Sequence, residues 1–273
     1  MNQVRWVLSI IVLWSAVAGA AMSETARLID RAVAGAHRAP ENRSRDVHRH
    51  PAETLLFFGV EPHLHIVEIT PGGGWYTELL APLARDHGRY YAAHFALEKG
   101  APGYQRRVRD NFIAKLARNP AVYDKVVVTA FEPHRPGAIA PVGAADIVLT
   151  FRNVHNRTQQ GTDAASVAAF FSVLKPGGVL GVVEHRAREG TSVADMTRTG
   201  YMTESYVVRI AEQAGFKLLA RSEINANERD TRDHPRGVWS LPPTLAGGNE
   251  DRERLSTIGE SDRMTLKFVK PRQ

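Results

Sequence analysis

The stretch Ile66–Tyr76, IVEITPGGGWY, decides the fold. A short apolar run ends on a carboxylate, Glu68. Thr70, Pro71 and the glycines 72–74 follow, and WYTELLAPL then begins an amphipathic pattern. That is the order of a strand, a tight turn and a helix start. Glycines let the backbone turn sharply and bring unshielded N–H groups close to a ligand. Three ligand classes compete for such a turn. A phosphate loop ends in Gly-Lys-Ser/Thr, and Trp75 stands where the lysine belongs. A dinucleotide fingerprint needs G-x-G-x-x-G; Gly72 and Gly74 supply two glycines, but Thr77 occupies the third position. What remains is acidic-x-x-x-Gly-x-Gly headed by Glu68. A carboxylate there repels phosphate and suits a cationic or hydroxyl-bearing ligand.

Outward from the turn, strands and helices alternate. Strands are predicted at Leu64–Ile69, Arg89–Phe95, Lys125–Thr129, Asp146–Phe151, Gly178–His185, Phe216–Arg221 and Met264–Lys270. Helices are predicted at Trp75–Arg85, Gly103–Arg118, Asp163–Leu174 and Tyr201–Ala214. The strands after the turn are nearly continuous apolar runs, as in a parallel sheet covered on both faces. The alternation predicts one doubly wound α/β domain over residues 63–273. Before it, residues 21–62 form a helical segment. SETARLIDRAVAGAHR is a helix from Ser23 that closes near Pro40, ENRSRDVHRH is a polar loop, and PAETLLFF is a helix opened by Pro51 and capped by Gly59. About forty residues, 225–262, separate the last two strands and interrupt the alternation. A connection that long is functional or disordered, and Trp239 with Leu-Pro-Pro argues for a docked segment, read here as a lid over a pocket.

Composition bounds the rest. At 43% hydrophobic and 23% charged, the chain can bury a real core. A net charge of +6 favours acidic partners, but Lys and Arg are spread without long blocks. This reads as a generically basic surface rather than a nucleic-acid face. There is no cysteine, which excludes disulfides, thiolate metal sites and cysteine catalysis. Residues 1–20 have the form of a secretory signal peptide. Arg5 precedes the apolar run Trp6–Ala18, and Ala18-Gly19-Ala20 is a small-residue cleavage site. That run is short for a membrane span, so the expectation is a periplasmic protein with no stable span in its mature chain. An oligomeric state is not legible.

With these residues in view, the chain resembles the class I S-adenosylmethionine-dependent methyltransferases. The likeness runs in order. Glu68 to Gly74 is similar to the family's cofactor turn, Arg152-Asn153-Val154-His155 to its segment after strand four, Leu174-Lys175-Pro176-Gly177-Gly178 to its turn before strand five, and Ala214-Gly215-Phe216 to its entry into strand six. The tail, from Gly237-Val238-Trp239 to Gly259-Glu260-Ser261-Asp262-Arg263-Met264, resembles a narrower group of exported, predicted methyltransferases of bacteria. The resemblance implies a seven-stranded Rossmann-like sheet in the order 3-2-1-4-5-7-6, with the seventh strand antiparallel. It also implies S-adenosylmethionine as cofactor, held by Glu68, Thr70, Gly72, Gly73, Gly74, Trp75, His94, Phe151, Arg152 and Asn153. Two positions depart from the family. Thr70 replaces its first turn glycine, and His94 replaces the acidic residue that holds both ribose hydroxyls, the nearest carboxylate being Glu98.

Methyl transfer to a neutral nucleophile needs positioning and a base. His155 and His185, both at strand C-termini, are the base candidates, and the expected substrate is a small molecule, anionic in one reading. Against a base, His155 reads as a turn cap and His185 as part of a surface ion-pair network. Two other functions stay open: a periplasmic small-ligand-binding protein on this scaffold, or a different enzyme on it. A metal site is the rival chemistry. His48 with His50, His63 with His65, and Asp233 with His234 form pairs, but none has a third ligand or helical i, i+4 spacing.

Overall fold

The computed structural model describes residues 24–97, 100–247 and 251–272. Residues 1–20, read from sequence as a signal peptide, lie outside the described residues, as do Ser23 and Glu98. Seven strands form one sheet: β1 His65–Ile69, β2 Arg89–Phe95, β3 Val127–Phe131, β4 Ala145–Phe151, β5 Leu174–His185, β6 Lys217–Ser222 and β7 Arg263–Val269. Their order is β3-β2-β1-β4-β5-β7-β6. β1 pairs in parallel with β2 and β4, and β7 runs antiparallel to β5 and β6. This is the order and sense that the resemblance implies. Alternate residues of β1, β2, β4 and β5 enter two cores. Val67, Ile69, Val148 and Val182 face one; Ile66, Ile147, Leu149 and Val183 face the other. Strand periodicity of two makes this division, and burial on both faces explains the apolar runs.

The N-terminal segment joins the second core, where Ile29, Leu55 and Phe58 pack with Leu79 and Leu80. Pro51–Phe58 is helical with Gly59 left-handed at its end, as the sequence predicts. The predicted polar loop before it is instead two short helices, Pro40–Arg43 and Asp46–Arg49. Four-residue helices do not stand alone; buried charge holds these. Arg38 is buried and bonds both oxygens of Asp46, at 2.6 and 2.8 Å. Glu78, on the helix Thr77–Ala84, accepts from Asn42 at 2.9 Å. Charged letters mislead when their partners lie far along the chain.

Other boundaries move for local reasons. β3 starts two residues later than predicted. The helix predicted from Tyr201 starts at Glu204, because the Thr203 hydroxyl accepts from the Tyr206 N–H and caps it. The helices Val154–Gln159, Val193–Thr199 and Arg252–Ile258 were not expected. Between β6 and β7 the chain is docked. Asp230 accepts from Tyr201, His234 and the Asp262 N–H, and Asp262 pairs with Arg186 and Arg232. Among the described residues no helix is long and apolar enough to cross a membrane.

Candidate active site

A cavity of about 380 Å³ opens above the C-terminal ends of β1, β4 and β5. Glu68, Thr70, Gly72, Gly73 and Trp75 reach it from β1 and the glycine turn. Phe151, Arg152, Asn153 and His155 come from the end of β4, and His185 from the end of β5. The long segment roofs it with Val238, Trp239, Pro242 and Thr244. Gly74 and His94 do not line it.

On the glycine-turn wall, Glu68 is buried. Its Oε2 accepts from Thr77 Oγ1 at 3.0 Å and from the Tyr90 hydroxyl. Burial pushes the carboxyl up to about 7, although both hydroxyls pull the other way. Thr70 has φ +48°, a conformation glycine reaches freely. Its N–H donates to Ala93 O at 2.8 Å, and its Oγ1 accepts from Arg157 at 2.6 Å. Arg152 is also left-handed, at φ +58°, with its N–H on Val183 O at 2.7 Å. Each such residue costs on the order of 1–3 kcal/mol, and such strain clusters at functional sites. Asn153 Nδ2 donates to Ile69 O at 2.8 Å and ties the end of β4 to β1.

Glu184 organises the opposite wall and is fully buried. Its Oε2 accepts from the Val154 and His155 N–H groups at 2.6 and 3.3 Å, capping a helix from a neighbouring strand. Its Oε1 faces His155 Nδ1 at 2.9 Å and accepts from the His185 N–H at 2.8 Å. A carboxylate accepts only, so His155 carries its proton on Nδ1 and keeps Nε2 as the basic nitrogen. The two imidazoles stand 5.2 Å apart, and His185 Nδ1 contacts Ser261 Oγ. Burial, with the adjacent His155 and the positive charges of Arg152, Arg263 and Arg49 adding to it, holds His185 well below the usual imidazole value.

A third wall is cationic, and sequence reasoning missed most of it. Arg45 and Arg49 come from the segment expected to be a loop, and Glu260 from the stretch before β7. Glu260 takes Arg45 Nε at 2.6 Å, Arg49 Nε at 3.1 Å and Arg263 Nη1 at 3.1 Å. Burial alone would raise Glu260, but Arg263, Arg49, Arg152 and Arg45 outweigh it and hold it well below the usual carboxylate range. Arg49 lies over the Trp75 ring at 4.7 Å, and Trp75 donates its indole N–H to Asn42 O at 2.9 Å. The i, i+4 spacing of Arg45 and Arg49 was the one available signal. Trp239, read as an anchor, is in the wall, its ring 6.0 Å from His155.

His94 stands behind the glycine turn and is fully buried. Its Nδ1 accepts from the Phe95 N–H at 2.8 Å, so the proton sits on Nε2, which donates to Gly72 O at 3.1 Å. Burial depresses it to about 4. With both nitrogens committed, it braces the turn. A second cavity, over the ends of β2 and β3, includes Phe95, Phe131 and Glu132. Arg157 spans the two, from Thr70 in the first to Phe131 in the second, its guanidinium 4.2 Å from the Phe131 ring.

Among the described residues one group has metal-ligand geometry: His155, Glu184 and His185, with ligand atoms within 4.8 Å. None of the pairs named from sequence belongs to it; His234 bonds Asp230, not Asp233. The group suits a metal poorly. Glu184 already receives four N–H groups, and the adjoining wall is rich in guanidinium.

No family model matches the chain, and no curated protein does. Solved structures share its architecture. A SAM dependent methyltransferase from Aquifex aeolicus is 14% identical with a TM-score of 0.55, over 83% of this chain and 93% of that one. The [4+2]-cyclase SpnF is 17% identical with a TM-score of 0.57, over 88% and 85%. At these identities the likeness is one of fold.

Proposed function

We propose that this chain is an S-adenosylmethionine-dependent methyltransferase of the exported bacterial group, working in the periplasm on a small substrate. One observation carries the reading. The turn that resembles the family's cofactor turn and the paired histidines face each other across one cavity, at the strand ends where open α/β sheets bind ligands. The Aquifex structure, a methyltransferase by its description, adds support at the level of fold.

The residues fit the amino-acid end of the cofactor. Glu68 is a carboxylate for its ammonium, and Gly72, Gly73 and Asn153 bring backbone polar groups to the same wall. Fit at the ribose end is weaker: His94 has no free nitrogen, and the only replacement carboxylate named from sequence, Glu98, is outside the described residues. When bound, the cofactor supplies an electrophilic methyl group on a sulfonium. The chain supplies position and a base. Glu184 fixes the His155 tautomer with Nε2 unprotonated, the form that accepts a proton from a hydroxyl or amine. His185, held neutral, adds no charge to repel that proton. Trp239 and Pro242 line the cavity from the long segment.

Calorimetric titration with S-adenosylmethionine and S-adenosylhomocysteine tests the reading. Micromolar binding of both is expected. No heat at millimolar ligand would end it and leave the cavity to a different small ligand. For the compartment, residues 1–30 fused to a reporter active only in the periplasm should give signal; a silent fusion that is made in full refutes export.

A further inference from the structure

The cationic wall holds more positive charge than the protein neutralises. Arg45, Arg49 and Arg152 line the cavity with Arg263 behind them, and among the described residues Glu260 is the one carboxylate that pairs with any of the four, taking Arg45, Arg49 and Arg263. Arg263 is fully employed, with Nη1 on Glu260, Nη2 on His48 O at 2.6 Å and Nε on Ser261 O at 3.2 Å. The other three are not. Arg49 is 1% exposed, yet only its Nε meets Glu260, and Nη1 and Nη2 are buried without a hydrogen-bond partner. Arg45 Nη2 is in the same condition. Arg152 has neither a hydrogen bond from its guanidinium nor an ion pair among the described residues, and it lines the cavity.

Buried donors left open are costly, and water would satisfy their hydrogen bonds but not their charge. An oxyanion satisfies both, and planar guanidinium groups pair with carboxylates and phosphates in a forked geometry. We infer that Arg49, Arg152 and Arg45 bind an anionic group, a carboxylate or phosphate, on the substrate of this cavity. The term substrate rests on the methyltransferase reading; the anion site itself does not.

Position assigns the anion to the substrate rather than to the cofactor's own carboxylate. Arg45 and Arg49 pair with Glu260, whose neighbour Ser261 contacts His185 Nδ1, and the Arg152 N–H bonds Val183 O, two residues before His185. The anion site therefore adjoins the histidine wall, and Arg49 also reaches the Trp75 ring at the edge of the glycine turn. A metal at His155, Glu184 and His185 would meet the same guanidinium charges and is disfavoured by them.

The test uses inorganic phosphate as the probe, titrated calorimetrically into the purified chain at constant ionic strength. Wild type should bind it saturably. Arg152→Gln should weaken it about tenfold or more and keep the wild-type unfolding temperature, because Arg152 bonds no protein group through its side chain. Arg49→Lys, which keeps the charge but not the fork, should also weaken it. Arg135→Gln, a substitution of an exposed arginine that does not line this cavity and pairs with Glu132, should leave it unchanged. Absence of saturable phosphate binding, or an equal loss in Arg135→Gln, overturns the site. Titration in saturating S-adenosylhomocysteine separates the two claims. Simultaneous binding supports the substrate assignment, and competition overturns it in favour of the cofactor carboxylate. Phosphate binding in a chain that does not bind S-adenosylhomocysteine upholds the anion site and refutes the methyltransferase reading.

Discussion

Glu68 ties the site to pH through its burial. An ordinary glutamate carboxyl loses its proton near 4.5, and here the folded value is about 7. The folded state therefore binds this proton more tightly than the unfolded chain does. The resulting stabilisation is complete below 4.5 and is lost as pH rises through 7, to the extent of about 3 kcal/mol. Glu68→Gln cannot ionise, so it should raise the unfolding temperature relative to wild type at pH 8 and much less at pH 5. The same offset at both values would show that Glu68 is not the group responsible. A cation bound beside Glu68 should instead draw its proton off, so the residue that destabilises the empty site at neutral pH is suited to hold a positive ligand.

At the scale of elements, the glycine turn and the two peripheral segments divide the work. Gly74 has φ +79°, and a Cβ there would sit 3.0 Å from the Phe112 ring. Gly74→Val therefore strains the backbone and the core together, and loss of binding in that variant would not isolate the pocket. Gly73 has no positive φ, and a Cβ added to it meets nothing within 4 Å, while the residue lines the cavity. Gly73→Val should keep a wild-type unfolding temperature and lose S-adenosylhomocysteine affinity at least about tenfold. Normal affinity in a folded Gly73→Val chain would move the ligand away from the turn. The segments 40–49 and 223–262 meet at Glu260, where Arg45 and Arg49 of one pair with a carboxylate of the other across more than two hundred residues. That clamp positions the cationic wall, and the buried Asp230 and Asp262 network fixes the roof over it.

Across the whole molecule, the parallel strands β1, β4 and β5 end on one edge, and that edge collects the glycine turn, Arg152 and the histidines. Much of this was legible. Apolar runs of strand length, separated by helical periods and punctuated by Gly and Pro, led to seven strands in the right sequence positions, and the resemblance supplied their order. Glu68, His155 and His185 were named from sequence because each stands at the C-terminal end of a predicted strand, where side chains of a parallel sheet converge, and Asn153 was named through the resemblance. The short helices at 40–49 were not legible. Their stability comes from Arg38 with Asp46, Asn42 with Glu78 and Arg49 with Glu260, and none of those contacts leaves a local period.

By itself, the sequence determined the α/β alternation, the glycine turn with its carboxylate, and the pair of strand-end histidines. These are local facts, written in hydrophobic period, glycine placement and chain order. Only the tertiary structure decided that His94 braces the turn and stands off the cavity, that Glu184 sets the proton on His155, and that three arginines face an unneutralised edge beside them. Burial and charge balance depend on residues that approach from distant parts of the chain, so neither can be read along it.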